Sequence, residues 1–108
     1  MMKNTMKTLI FHETMIMPVV STGYVTETDL VLCERHNAAN PITGYAYEYG
    51  YWMSVSEDGS DADIHQQLTT FGYSENFCDL YLGTRAAGMS YLRLDSDGAG
   101  VDGLEMLE

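Results

Sequence analysis

The stretch TGYAYEYGYWMSVS, residues 43–56, decides how the rest of the chain is read. Tyr45, Tyr47, Tyr49, Tyr51, Met53 and Val55 fall at every second position, with Ala46, Glu48, Gly50, Trp52, Ser54 and Ser56 between them. Period two is the signature of a strand, because successive side chains of a strand point to opposite faces. The spacing predicts a tyrosine-rich face packed under helices and an opposite face carrying Trp52 beside Glu48, Ala46 and Gly50. Gly50 marks a bulge or a bend, which leaves either one long bent strand or two shorter ones.

Working outward, NAANPITG (37–44) is a loop by composition, and Pro41 disfavours a helical Asn40. Before it, Thr26 with Asp29 three residues on resembles a capping box, predicting a helix from Glu27 to about Asn37. Met15–Ser21 is apolar and β-branched around Pro18, as expected of a strand with a proline near its start or at an edge, and Thr8–His12 is a second short strand candidate. On the other side, EDGSDAD turns into a helix capped by Ser60 or Asp61, with Ile64, Leu68 and Phe71 on one face and Gly72 at its end. Ser74 opens another helix to about Ala87, buried through Phe77, Leu80 and Tyr81, and MSYLRLD (89–95) alternates again. The order predicts an α+β domain: a small, mainly antiparallel sheet of three to four strands with about three helices packed on one face. The 108 residues suit a single domain, with a loose leader over 1–7 and a flexible, acidic, glycine-rich tail over 96–108.

Charge narrows the function classes. Sixteen Asp and Glu stand against five Lys and Arg, a formal net charge of -11, and no Lys or Arg occurs between Arg35 and Arg85. Phosphate backbones and anionic lipid headgroups need cations to meet them, so direct nucleic-acid binding and membrane-surface binding are not expected. The short apolar run Leu9, Ile10, Phe11 is broken by His12 and Glu13, which is too short for a signal-peptide core, and no segment approaches the ~20 apolar residues of a membrane span. Two cysteines, Cys33 and Cys78, could pair, but nothing in their spacing demands it, and without a secretory signal the expectation is two reduced, half-buried thiols in a cytoplasmic protein.

Reactive constellations are weak. Ser90 in GMSYL lacks the second glycine of a nucleophile elbow, and Cys78 within a helix reads as a small hydrophobe. Cys33 and His36 share a helix face, but the paired spacings of a zinc finger are missing, so no metal or other cofactor is assigned. Asp95–Asp102 begins like a calcium loop, yet Ala99 takes the fifth position and Glu105 falls one short of the twelfth. The glycines there have no Lys-Ser/Thr to complete a phosphate loop. No catalytic residue is assigned, and the protein is read as a non-enzyme.

At VVSTGYVTETDLVL (19–32) and FGYSENFCDLYLGTRAAGMSYLRLDSDG (71–98) the chain resembles a family of short uncharacterised proteins carried on bacterial plasmids, prophages and other mobile elements. The resemblance covers most of Val19–Leu104 and rests on Ser21, Thr22 and Thr26, on Gly72 and Ser74, and on the run Gly88, Ser90, Tyr91, Leu92, Arg93, Leu94 and Asp95. It implies mobile-element cargo, a setting in which small acidic proteins antagonise host defence.

What remains is the acid surface. Glu57, Asp58, Asp61 and Asp63 crowd a turn and helix start, and Asp95, Asp97, Asp102 and Glu105 crowd the C-terminal segment. Carboxylates spread at a spacing near that of duplex phosphates imitate DNA before a Lys/Arg-lined groove, whereas the plain alternative is a solvated surface with two capping acids. The expected function is an inhibitor that docks these residues, with Glu48 and Trp52, on a basic nucleic-acid-handling host protein, as an anti-CRISPR or anti-restriction factor does. The alternative is a self-associating module, a homodimer formed through the strand face bearing Trp52.

Overall fold

A computed structural model describes residues 6–107 of the chain. Residues 1–5 of the expected leader, and Glu108, lie outside the described residues. The elements are β1 (Val19–Ser21), a 3-10 turn over Thr22–Tyr24, α1 (Glu27–Cys33), β2 (Gly44–Tyr47), β3 (Gly50–Ser54), α2 (Asp61–Phe71), α3 (Glu75–Ala86) and β4 (Tyr91–Asp95). They form an α+β fold around one four-stranded sheet in the order β1-β4-β3-β2. Pairing is antiparallel between β2 and β3 and between β3 and β4, and parallel between β1 and β4, so the sheet is mixed.

Local chemistry sets the helix starts. Thr26 accepts from the Asp29 N–H at 3.0 Å while the Asp29 carboxylate accepts from the Thr26 N–H at 2.9 Å, a complete capping box. Ser60 and Ser74 cap α2 and α3 from one side only, their hydroxyls accepting from the N–H groups of Asp63 and Phe77. Gly72 ends α2 at φ 117°, a left-handed value that glycine adopts without strain. Helix α1 stops at Cys33, about one turn earlier than its composition predicts, because the Asn40 side-chain amide donates to the carbonyls of Leu32 and Arg35 and draws the chain away. Residues 8–12 form no strand, and the strand after Pro18 is confined to β1.

The tyrosine run is a hairpin. Residues 48 and 49 make the turn, Tyr47 faces Gly50, and Tyr45 faces Trp52. The return strand reverses which parity points inward, so the expected single tyrosine face is corrected: Tyr51, Met53 and Val55 enter the core, whereas Tyr45 and Tyr47 share the opposite face with Trp52. Gly50 is required by close approach, since a Cβ there would lie 1.9 Å from the Leu94 carbonyl oxygen. The core joins Met53, Leu92 and Leu94 of the sheet to Leu68, Phe77 and Tyr81 of α2 and α3, all nearly inaccessible to solvent. Each such large side chain contributes about 1.5–3 kcal/mol relative to exposure.

The C-terminal segment is docked, where its composition suggested a loose tail. The Ser21 N–H donates to the Ala99 carbonyl, the Val101 N–H donates to the Tyr24 hydroxyl at 2.7 Å, and the Leu107 N–H donates to the Gly23 carbonyl. Gly98 passes so close to β1 that a Cβ would sit 2.4 Å from the Val20 carbonyl carbon.

Candidate functional site

Two surfaces stand out. The first is an acid rim around the C-terminal end of α3. Glu57, Asp58, Asp61 and Asp63 are exposed on the loop into α2 and on its first turn. Arg85, near the end of α3, holds that loop: it donates to the Asp61 carboxylate and the Gly59 carbonyl, and through Nε to the Ser56 carbonyl at 3.1 Å. One arginine thus fixes the loop and neutralises one carboxylate. A groove lined by Glu57, Asp61 and Arg85 reaches Met89, and a second, lined by Asp79, Gly83, Val101 and Asp102, reaches the same Met89. The Glu57–Asp63 group and Asp102 therefore flank one helix end, whose terminal carbonyls add partial negative charge of their own, whereas Glu105 lies by the start of α3, where its carbonyl accepts from the Asn76 amide.

Glu57, Asp58, Asp63, Asp79, Asp97, Asp102 and Glu105 are all exposed, and none of their carboxylates has a hydrogen-bond or ion-pair partner among the described residues. Of the described Lys and Arg side chains, Arg85 and Arg93 are paired with Asp61 and Asp95, leaving Lys7 and Arg35 exposed elsewhere. Glu48 is exposed in the β2–β3 turn.

Asp95 departs from the sequence expectation of a docking acid. It is buried at the end of β4, where its Oδ2 accepts from the Tyr47 hydroxyl at 2.7 Å and from Arg93 at 3.2 Å, and its Oδ1 accepts from the Asp97 N–H at 2.8 Å. Tyr47 spans to β4 because the residue opposite it, Gly50, has no side chain in the way. The Tyr47 hydrogen bond, then those from the Asp97 N–H and Arg93, hold the Asp95 carboxyl below the usual carboxylate range. All its bonds are internal, so Asp95 orders the end of β4 and offers no free charge.

The second surface is the open face of the sheet. The register aligns Tyr45, Trp52, Arg93 and Val19 in one row across all four strands. The Tyr45 and Trp52 rings lie 4.8 Å apart between centroids, Tyr91 is 6.0 Å from Trp52, and the Arg93 guanidinium sits 4.7 Å from the centre of the Tyr47 ring. Met15 and Met17 complete a shallow apolar groove there. Trp52, the one residue of this face singled out from the sequence, is 37% exposed. The aromatic row was hidden because it assembles only after the hairpin reverses.

The thiols are buried and free. Burial pushes Cys33 up to about 12 and raises Cys78 as well, so both are protonated near neutral pH. Among the described residues no third ligand joins Cys33 and His36, whereas His65, Glu75 and Cys78 meet where α2 packs on α3, their ligand atoms all within 4.8 Å of one another. No described helix is long and apolar enough to cross a membrane.

No curated protein and no solved structure matches the chain. A model of the C-terminal domain of a family of unknown function, DUF5983, matches residues 17–108, a span that takes in every helix and strand, the acid rim and the aromatic row. The chain belongs to the DUF5983 family.

Proposed function

We propose that this protein is a non-enzymatic binding protein that docks its acid rim on the basic face of a nucleic-acid-handling protein and blocks it, in the manner of an anti-CRISPR or anti-restriction factor carried by a mobile element. The observation that carries the reading is the exposed, unpartnered carboxylates of Glu57, Asp58 and Asp63 on one side of the α3 end and of Asp102 on the other, on segments held by Arg85 and by the Tyr24 and Ala99 bonds. A fixed array of charges loses little entropy on docking, and charges with no internal partner are free to pair with lysine and arginine. The array repels DNA and attracts whatever binds DNA. The test is retention of basic proteins from bacterial lysate on the immobilised protein at low and high salt, with duplex DNA as competitor. A partner of the expected class is released by salt and displaced by DNA; binding that resists both refutes the reading.

A second reading has its own observation. The row Tyr45, Trp52, Arg93 and Val19, with the apolar groove beside it, is an aromatic sheet face on which no helix packs among the described residues. Self-association through this face is the alternative function, and sedimentation of a monomer at micromolar concentration excludes it.

A further inference from the structure

The junction of α2 and α3 gathers three side chains with no shared role in the acid rim or the sheet. His65 lies in the second turn of α2, Glu75 is the first residue of α3, and Cys78 lies one turn further along α3. Spacing of three on α3 places Glu75 and Cys78 on the same side of that helix. His65 Nε2 is 2.8 Å from one Glu75 carboxylate oxygen and 3.1 Å from the other. The Cys78 sulfur, fully buried, makes one weak hydrogen-bond contact among the described residues, with the Thr69 hydroxyl at 4.0 Å, and Thr69 is one turn from His65 on α2.

We propose that His65, Glu75 and Cys78 form a three-ligand site for one divalent ion of the zinc class, with a fourth position open to solvent. Imidazole nitrogen, carboxylate oxygen and thiolate sulfur together suit a borderline-soft ion and disfavour magnesium or calcium, which take oxygen ligands. Zinc lies ~2.0 Å from nitrogen and oxygen and ~2.3 Å from sulfur, so ligand atoms of a tetrahedral site stand about 3.3–3.7 Å apart. Atoms already within 4.8 Å of one another reach that spacing by side-chain rotation. His65 and Glu75 separate slightly, the Cys78 sulfur closes in, and the thiol proton passes to solvent as the metal–sulfur bond forms. The half-exposed His65 ring supplies the entry path, and water fills the fourth position. An ion here ties the start of α3 to α2 across the Gly72 turn.

The test uses the full-length, metal-free protein titrated with Co²⁺ and then with Zn²⁺. The expected result is one equivalent of Co²⁺ bound, with the near-ultraviolet thiolate-to-cobalt charge-transfer band and the strong visible bands of four-coordinate cobalt, both bleached by Zn²⁺. Cys33→Ser leaves the spectrum unchanged, and Cys78→Ser abolishes the charge-transfer band. His65→Ala and Glu75→Gln, at exposed positions that leave the core intact, weaken binding roughly 100-fold or more, since even changes to outer-shell partners cost ~10–100-fold. Absence of a charge-transfer band at millimolar Co²⁺ overturns the site. So does a band that survives Cys78→Ser, or affinity unchanged in both His65→Ala and Glu75→Gln.

Discussion

Asp29 is the residue whose replacement tests the fold most sharply. It is fully buried, and its carboxylate accepts three hydrogen bonds: the Thr26 N–H at 2.9 Å, the Ser74 N–H at 2.8 Å and the Ser74 hydroxyl at 2.6 Å. One side chain therefore closes the cap of α1 and holds the cap of α3, 45 residues away in sequence. Asp29→Asn keeps the shape but turns one oxygen into an NH₂ group, which opposes a backbone N–H in either orientation, that of Thr26 at Oδ2 or that of Ser74 at Oδ1. Hydrogen bonds to a charged group contribute about 1.5–3 kcal/mol each, and a stranded buried donor costs a similar amount. The expected loss is about 2–4 kcal/mol, allowing for partial rearrangement of the serine. At about 4 °C per kcal/mol for a domain of this size, the melting temperature falls by about 8–16 °C. Urea unfolding followed by circular dichroism at constant pH measures this directly. A midpoint within about 0.5 kcal/mol of wild type would refute the joint-cap reasoning.

Two further outcomes follow from the sheet. Gly50→Ala drives a methyl into the Leu94 carbonyl, a backbone atom that cannot rotate away, so β3 and β4 must separate locally at a cost of about 2–3 kcal/mol; thermal unfolding indistinguishable from wild type contradicts this placement. Asp95, held below its unfolded pKa chiefly by Tyr47, favours folding above about pH 4 and loses that contribution as the pH falls through its folded pKa. In Tyr47→Phe the Asp95 midpoint, read by carboxyl NMR, rises toward the unfolded value and the acid-side loss of stability begins at higher pH. An unmoved midpoint shows that the hydroxyl is not the main cause.

Sequence legibility followed the range of the interactions. The caps at Thr26, Ser60 and Ser74 and the stop at Gly72 are local bonds between a side chain and backbone a few residues away, so residue order alone reveals them. The end of α1 is not legible in its own residues because the stopping group, Asn40, acts from within the following loop. Alternation through residues 43–56 showed a strand pattern but not its reversal, since Glu48 and Tyr49 carry no glycine or asparagine to announce a hairpin turn. The exposed acids at 57, 58, 61 and 63 lie at the turn and helix start their composition indicated, whereas Asp95 is buried by Tyr47 reaching over a glycine on the neighbouring strand. His65 and Cys78 come together only through the packing of two helices.

The central claim is that the acid rim is a docking surface for a protein that binds nucleic acid. The discriminating measurement compares wild type with a variant carrying Glu57→Gln, Asp58→Asn, Asp79→Asn and Asp102→Asn, four exposed side chains whose carboxylates have no partner among the described residues. Binding of each to the captured basic partner is followed by calorimetry across a salt series. Docking through the acid rim makes wild-type affinity fall steeply with salt, and leaves a variant that folds normally yet binds at least about tenfold more weakly with a shallower salt slope. Equal affinity and equal slope in the two proteins would contradict it.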